Sequence, residues 1–512
     1  MSLAEYLLAH DLGTTGDKAT LFDLTGGIIA SVFEPYPTNY PKPGWAEQHP
    51  ADWWHAVCLS SRRLLDLVPA AKQQLRGVGF SAMMNGCLLI DAAGEVIRPA
   101  LIHADTRSTD QCLRIEREIG EIEAYRITGN RIAPYFTLSK LAWLIQNEPE
   151  SAARARWCVQ TKDYIGARLT GNWGVTDYSD ASLTGFYDIN ARSWHSDIIR
   201  FMAIPQQLLA EVRDSSSILG YITAGAADLT GLPAGLPVVV GGGDGACATA
   251  GAGAVNAGDT YHYLGGTSWV AGVTPGFQPD PKRRVSAFIT LDPGKCVLYG
   301  TVQSAGSSVD WVRTILTAPD RAGETSSFED IEELASKSPV GSRGLYFLPY
   351  LAGERSPIWD ASARGAFFGL MQAHDRSDMA RSVFEGVAYA LGSNLQVLEE
   401  LGMAKENALK VLGGGMRSAL WRSILAAVYQ RPLQLLENLS EATSCGAAMA
   451  TAVGIGAYTD YAAAAIHFAR IAETELPDPQ AINSYRKGAE FFCSLYPSMA
   501  ERFAALNEMT SK

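Results

Sequence analysis

The stretch YLLAHDLGTTGDKATLFD (residues 6–23) decides the fold of this chain. Its two apolar runs, Tyr6–Ala9 and Ala19–Phe22, flank a turn that has a glycine at each end, which predicts a pair of antiparallel strands. A third apolar run, Ile28–Phe33, follows a second turn, LTGG. The chain therefore opens with three short strands joined by hairpins, and later strands alternate with helical segments. This alternation predicts an α/β architecture.

The first turn also carries groups suited to a phosphate. A glycine-bounded hairpin can direct successive backbone N–H groups at one anion, and Thr14 and Thr15 add hydroxyl donors. Lys18 adds a nearby positive charge, and Asp11 at the strand end is suited to support a hydrated Mg²⁺. The alternative interpretation is a plain hairpin in which threonine is used for its strand propensity.

The opening plan recurs in DTYHYLGGTSWVAGVTPG (residues 259–276), where LGGTS takes the place of the first turn. Two related halves with a boundary near residues 251–258 follow, and we predict domains at 1–254 and 255–512. A ligand would lie in the cleft between them, with both turns facing one polyphosphate. A chance similarity of two hairpins is the alternative.

Asp244 lies within VVVGGGDGACATAGAG (residues 238–253), a strand, a glycine turn and a small-residue helix. An acid on such a turn at the mouth of a cleft suits a general base. Gly241, Gly243 and Ala246 also fit a dinucleotide-binding fingerprint, although Asp244 would repel a pyrophosphate there. An ordinary helix cap is the third interpretation.

The segment VLGGGMRSALWRSILAAV (residues 411–428) places three glycines between a strand and an amphipathic helix. Gly413–Gly415 would let a flat ring approach the backbone, so an adenine is expected there with Ser418 nearby. A simple strand-to-helix turn is the alternative.

Polar and aromatic residues suited to a polyhydroxylated ligand occur in the loops GWAEQHPADWW, MMNGC and HADTR. Aromatic residues such as Trp45 would cover C–H faces, Asn85 and Asp105 would meet hydroxyl groups, and Arg107 lies in the same loop as Asp105. Trp53 and Trp54, in contrast, are predicted to belong to the core.

The composition restricts the class of protein. The 512 residues carry a net charge of −12 and a pI of about 5.3, which argues against nucleic acid or an anionic membrane as a partner. The eight cysteines form no CxxC pair, and the histidines form no zinc-binding pattern. No signal peptide and no apolar run of membrane-spanning length is recognisable, so a cytoplasmic location is expected.

The ordered motifs resemble those of the FGGY carbohydrate kinases, within the actin/hexokinase/Hsp70-type ATPase superfamily. The two family signatures correspond to YFTLSKLAWLIQN (135–147) and GAFFGLMQAHDRSDMARSVFE (365–385). DLGTTGDK, GGGD, FLPYLAGERSP and VLGGGMRS stand in the family order. The resemblance implies two ribonuclease H-like domains around a central cleft, with ATP and Mg²⁺ as cofactors.

By the same resemblance, Asp244 corresponds to the catalytic base, and Asp11 corresponds to the acid that supports Mg²⁺ through water. Met84 and Asn85 fall on the sugar-contacting pair. With Trp45 and Asp105 they complete the expected sugar site. The expected ATP-binding positions are Thr14, Thr15, Lys18, Gly266, Thr267, Gly306, Asp310, Gly414, Gly415 and Ser418.

Within the family, GWAEQHPADWW, TKDYIGARLTG and YSDASLTGFYD are most similar to xylulose kinases. That group usually has Met-His-Gly where this chain has Met84-Asn85-Gly86, and Trp-Asn-Asp where it has His103-Ala104-Asp105. Gly245 also replaces a frequent asparagine. All three changes concern the sugar, and they leave D-xylulose as one expected substrate among several.

The sequence therefore predicts an ATP-dependent kinase of a small sugar, with D-xylulose first and ribulose, fuculose, erythritol or glycerol as alternatives. A non-catalytic sensor of ATP and sugar on the same fold is a second hypothesis, and an NAD-dependent dehydrogenase is a third. Family members are often dimers, so a homodimer is expected.

Overall fold

The computed structural model describes residues 5–316, 327–403 and 408–510. In chain order, the elements of the first half are β1 (Tyr6–Leu12), β2 (Gly16–Asp23), β3 (Ile28–Pro35), β4 (Glu47–Gln48), α1 (Pro50–Leu67), α2 (Ala71–Gln74), β5 (Leu75–Ala82), β6 (Leu88–Ile90), β7 (Ala100–Leu101), α3 (Thr109–Ile119), α4 (Glu121–Thr128), α5 (Thr137–Asn147), α6 (Pro149–Arg154), β8 (Trp157–Val159), α7 (Thr161–Thr170), β9 (Val175–Asp177), α8 (Tyr178–Ser182), β10 (Tyr187–Asp188), β11 (Ser193–Trp194), α9 (Ser196–Phe201), β12 (Glu211–Arg213), β13 (Ile218–Tyr221), α10 (Ala224–Thr230), β14 (Pro237–Val239), β15 (Gly242–Gly243) and α11 (Asp244–Gly251).

The elements of the second half are β16 (Thr260–Tyr263), β17 (Ser268–Thr274), β18 (Ser286–Ile289), β19 (Cys296–Val302), α12 (Gly306–Leu316), α13 (Phe328–Ser336), β20 (Tyr346–Leu348), β21 (Ala366–Phe368), α14 (Arg376–Glu400), β22 (Leu409–Leu412), α15 (Ala419–Tyr429), β23 (Leu433–Leu436), α16 (Ala442–Gly454), α17 (Tyr461–Phe468), β24 (Ile471–Glu475) and α18 (Pro479–Thr510). Short 3₁₀ turns lie at Gln206–Leu208, Ser342–Gly344 and Gly414–Arg417.

Each half is built on one mixed sheet, and the two sheets share a plan. In the first, β1 is central, antiparallel to β2 and parallel to β5, and the order is β13-β14-β5-β1-β2-β3. In the second, β16 is central, antiparallel to β17 and parallel to β22, and the order is β18-β19-β17-β16-β22-β23-β24. The repeated strand–turn–strand plan predicted for residues 259–276 is thus confirmed.

One of the buried apolar clusters joins the two halves. Leu7 and Ala9 of β1 belong to the same buried apolar cluster as Tyr261 of β16 and Leu412 of β22. Helices α11 and α16 pack between the sheets with their backbones in close approach. A Cβ on Gly446 would lie 2.0 Å from the carbonyl oxygen of Cys247, which explains why these helices are rich in small residues.

The residues after Asp105 form two helices, α3 and α4, because Gly120 takes a φ of 82° and ends α3 before α4 begins. Trp53 and Trp54 are 1% and 8% exposed, so their predicted place in the core is confirmed. Within the described ranges, no helix is long and apolar enough to cross a membrane.

Candidate active site

Two acids meet at the ends of the central strands of the first sheet. Asp11 of β1 lies opposite Ser81 of β5, and Ser81 lies opposite Gly242 of β15. Neighbouring strands are about 4.8 Å apart, so the turn that carries Asp244 is brought close to Asp11. Burial and then the charge of Asp11 raise the pKa of Asp244 to about 7, and a hydrogen bond from the Gly245 N–H to Asp244 Oδ1 (2.8 Å) opposes this. A carboxylate with this pKa can accept a proton near neutral pH.

Asp11 is held from the second half of the chain. Thr443 in the first turn of α16 donates a hydrogen bond of 2.6 Å to Asp11 Oδ2. Burial raises the pKa of Asp11, while the hydrogen bond from Thr443 and the neighbouring hydroxyl group of Ser81 lower it. The positive end of the α16 dipole also favours a negative charge at this point. Thr443 could not be predicted from the sequence, because nothing local marks it as a partner of Asp11.

The donor set at Asp11 fits Mg²⁺. This cation is usually held by one or two carboxylates together with water and substrate phosphates, rather than by a cage of protein ligands. In the described part of the chain, no group of three or more His, Cys, Asp and Glu side chains could hold a metal ion. Asp11, partly exposed beside the first turn, is the residue of this site that would support the cation.

The first turn is held by its carbonyl groups. The carbonyl oxygens of Gly13 and Thr14 accept hydrogen bonds from Tyr36 Oη (2.6 Å) and Gln48 Nε2 (2.7 Å), and that of Thr15 accepts from the Tyr36 N–H (3.1 Å). Thr15 is exposed and Thr14 is half-buried. The turn is therefore rigid, and its threonine side chains remain accessible to a ligand.

Lys18 points to the second half of the chain. Its ammonium forms an ion pair with Glu441 and contacts the carbonyl oxygen of Ser440 at 3.4 Å. The structure thus shows Lys18 joining the two halves beside α16. Its predicted contact with ATP stays a prediction, and it would require Lys18 to share its charge with Glu441.

The second turn, Leu264–Ser268, is organised in a similar way. Thr267 Oγ1 donates to the carbonyl oxygen of Gln303 at 3.0 Å, and Gly266 and Thr267 are exposed. Gly306 begins α12 directly against this turn, where a Cβ would lie 2.6 Å from the carbonyl oxygen of Gly265. Asp310, one turn further along α12, is exposed and forms an ion pair with Arg313.

The triple glycine after β22 serves two purposes. A Cβ on Gly413 or Gly415 would meet Leu264 at 2.5–2.6 Å, so these two residues allow the two turns to pack. Gly414 has no atom within 4 Å of its Cβ position and is exposed. Ser418 is buried and caps α15 by accepting a hydrogen bond from the Trp421 N–H at 3.0 Å. An adenine ring would therefore meet Gly414 more directly than Ser418.

Met84 and Asn85 lie beside the turn that carries Asp244. The Met84 side chain packs on Gly243, where a Cβ would lie 2.5 Å away. Asn85 takes a left-handed φ of 62°, and its Oδ1 is buried without a hydrogen-bond partner among the described residues. His103 Nδ1 is also buried without a hydrogen-bond partner among the described residues, and burial lowers the pKa of His103 to about 4. These orphaned atoms fit hydroxyl groups of a ligand.

Asp105 and Trp45 belong to a neighbouring cluster. Asp105 is fully buried, accepts hydrogen bonds from Arg107 at 2.7–3.1 Å and accepts another from the Ala46 N–H at 2.7 Å. The Arg107 guanidinium lies 3.6 Å from the centre of the Trp45 ring. Asp105 is thus engaged in holding the loop of Trp45, and its predicted direct contact with sugar stays a prediction.

Lys140 is a site residue that the sequence analysis did not find. Its fully buried ammonium donates to the carbonyl oxygens of Asn85 (2.7 Å), Ile102 (2.7 Å) and Tyr135 (2.8 Å). It thereby ties together the two loops that carry Asn85 and His103. Burial lowers the pKa of Lys140 to about 7. A lysine inside the apolar helix run LSKLAWL was the available signal.

Comparisons with known proteins point to one family over most of the chain. Models of the FGGY family of carbohydrate kinases match twice, the N-terminal domain at residues 6–251 and the C-terminal domain at residues 263–455. A xylulose kinase of Bacillus subtilis (strain 168) is 30% identical over 98% of this chain and 99% of its own. A gluconokinase of the same organism is 28% identical over 85% of each chain. The crystal structure of ligand-bound xylulose kinase from Lactobacillus acidophilus matches with a TM-score of 0.91 at 26% identity, over 98% of this chain and 100% of that one.

Proposed function

Because the chain belongs to the FGGY family of carbohydrate kinases, and is thus a sugar kinase, we propose that it phosphorylates D-xylulose to D-xylulose 5-phosphate with Mg-ATP as donor. Membership of a kinase family argues against the two other hypotheses, an NAD-dependent dehydrogenase and a non-catalytic sensor of ATP and sugar. The observation that carries the proposal is the turn of Asp244 beside Asp11, in a chain similar from end to end to xylulose kinases.

In the proposed reaction, Asp244 accepts the proton of the terminal hydroxyl of the sugar. Asp244 Oδ1 is engaged by the Gly245 N–H, so Oδ2 is the oxygen available for that proton. The sugar oxygen then attacks the γ-phosphorus in line and displaces ADP. Bound Mg²⁺ would neutralise charge on the phosphates, and Asp11 is the residue that would support it.

The remaining roles follow from accessibility. The exposed groups of the first turn (Thr14, Thr15) and of the second turn (Gly266, Thr267) would hold the phosphates from two sides. Gly414 would face the adenine. We also propose that the domain boundary lies at residues 254–255, between the matched segments of the two family models.

A sugar acid such as gluconate is the second candidate. The charges of Lys140 and Arg355 both lower the pKa of His103, so the environment of His103 is electropositive. Arg355 also lies 4.7 Å from the centre of the Tyr135 ring. Such a positive environment favours a carboxylate, and a gluconokinase is among the relatives.

Release of ADP from Mg-ATP, measured with a panel of sugars, tests the proposal. The panel contains D- and L-xylulose, D- and L-ribulose, L-fuculose, erythritol, glycerol and gluconate. We expect the highest kcat/KM for D-xylulose and a loss of about 10²- to 10⁴-fold in kcat for Asp244→Asn. A dominant response to gluconate would support the second candidate. Nearly normal turnover by Asp244→Asn would exclude Asp244 as the base.

A further inference from the structure

A buried charge network lies behind the turn of Asp244. Lys162 in the first turn of α7 is fully buried, and its ammonium contacts Asp163 Oδ1 (2.6 Å), Asp177 Oδ1 (2.9 Å) and Asp180 Oδ2 (3.0 Å). Burial lowers the pKa of Lys162, but the three aspartates together raise it well above its usual value. Burying such a set of charges is costly, and replacing it by apolar residues is often neutral or stabilising. A contribution to stability therefore does not by itself explain why the network is present.

One oxygen of this network is connected to the active site. Asp177 Oδ2 accepts hydrogen bonds from Ser179 Oγ (2.5 Å) and from Ser215 Oγ (2.9 Å). Ser179 Oγ in turn accepts a hydrogen bond from the Gly243 N–H at 2.9 Å. Gly243 is the residue immediately before Asp244. A hydroxyl has a single donor, so its donation to Asp177 leaves its lone pairs for the Gly243 N–H.

The turn needs such an external anchor because it has no side chains of its own. Gly242 and Gly243 form β15, and Gly243 is the N-cap of α11 without a capping side chain. Neighbouring atoms leave no room for larger residues, since a Cβ on Gly242 would lie 2.2 Å from Leu291 and one on Gly243 would lie 2.5 Å from Met84. The orientation of Asp244 is therefore fixed by groups outside the turn.

We propose that Ser179 is a positioning residue for phosphoryl transfer. Its hydroxyl links the buried Asp177 to the Gly243 N–H, and this link fixes the orientation of the Asp244 carboxylate. The inference rests on the proposed role of Asp244 as the base. Hydrogen bonds to an ionised group are stronger than neutral ones, and a chain of them strengthens each member. The charge of Asp177 thus makes Ser179 a firmer anchor than an isolated serine.

Ser215 provides a matched control. It is 1% exposed, compared with 0% for Ser179, and it donates to the same oxygen of Asp177. Among the described residues its hydroxyl forms no hydrogen bond with Gly243, whose N–H donates to Ser179. Both Ser179→Ala and Ser215→Ala remove one donor from Asp177, and only Ser179→Ala releases the turn of Asp244.

The test compares steady-state kinetics of the full-length variants, together with thermal unfolding. For Ser179→Ala we expect kcat to fall by about 10- to 100-fold while KM for ATP stays within about twofold, because a displaced base affects the chemical step. Ser215→Ala should keep a kcat within about threefold of the unmodified protein. Ser179→Cys, which keeps a weak donor and acceptor, should recover part of kcat, and it replaces Ser179→Ala in the comparison if the alanine variant does not fold.

Equal losses of kcat in Ser179→Ala and Ser215→Ala would overturn the inference, because they would indicate a purely structural role. Asp244→Asn is measured in the same series. If Asp244→Asn is fully active, the proposed base is wrong. If Asp244→Asn is inactive and the two serine variants behave alike, only the positioning role of Ser179 is wrong.

Discussion

The ionisation of Asp244 can be observed as the pH dependence of turnover. With a pKa of about 7, about 9% of the enzyme carries an ionised Asp244 at pH 6 and about 91% at pH 8. The rate of a reaction that needs the carboxylate should therefore rise about tenfold between these values. An aspartate with its ordinary pKa of 3.8 would be almost fully ionised at both, and the profile would be flat.

The assay follows ADP release between pH 5.5 and 8.5, with both substrates held well below their KM. Under these conditions the rate reports the ionisation of the free enzyme. The variant Asp11→Asn distinguishes the titration of Asp244 from the titration of the nucleotide. The charge of Asp11 contributes to the raised pKa of Asp244, so its removal should move the midpoint to lower pH, although the rate is lower throughout. The nucleotide is the same in both experiments.

A flat profile between pH 6 and 8 would refute the reasoning, since it would mean that burial does not hold Asp244 protonated at pH 6. An identical midpoint in the unmodified protein and in Asp11→Asn would refute the coupling between the two acids. It would assign the observed titration to the substrate or to another group.

Three further predictions follow from the same contacts. Asp244→Asn should raise the unfolding temperature more at pH 8 than at pH 5, because stability is lost progressively as pH rises from the ordinary pKa of 3.8 to the raised pKa of about 7 in the folded protein. Scanning calorimetry at both pH values tests this, and equal differences at both would contradict it. Lys140→Met leaves three carbonyl oxygens without their donor, so thermal unfolding should occur at a lower temperature. KM for sugar should also rise at least tenfold, while KM for ATP stays unchanged. A parallel rise of both KM values would count against a local role of Lys140. Gly414→Ala should fold normally and raise KM for ATP about tenfold, because nothing lies near the Cβ position. Gly413→Ala should lower the unfolding temperature, because Gly413 has a φ of 98° and its Cβ would lie 2.5 Å from the Leu264 carbonyl oxygen. An unchanged KM for ATP in Gly414→Ala would place the adenine elsewhere.

Local features of the chain were readable from the sequence. The strand pairs β1–β2 and β16–β17 and their glycine turns follow from short alternating runs and turn residues, and both form as expected. The strands are longer than the apolar runs indicated: β1 continues to Leu12 and β2 begins at Gly16, because pairing with neighbours extends a strand past its apolar residues. Asp11 and Lys18 consequently lie opposite each other within the sheet.

The sequence by itself thus determined the repeated hairpins, the glycine turns and the family motifs, all of which depend on residues close together in the chain. Only the tertiary structure decided which groups face each other. The parallel pairing of β5 with β1 and β15 brings Asp244 to Asp11, and the packing of α16 brings Thr443 to Asp11 and Glu441 to Lys18. It also decided that Asp105 is occupied by Arg107 and that Lys140 is buried against three carbonyl groups. The physical reason is that periodicity specifies which face of an element is apolar, whereas the partner of a polar group depends on how distant segments pack.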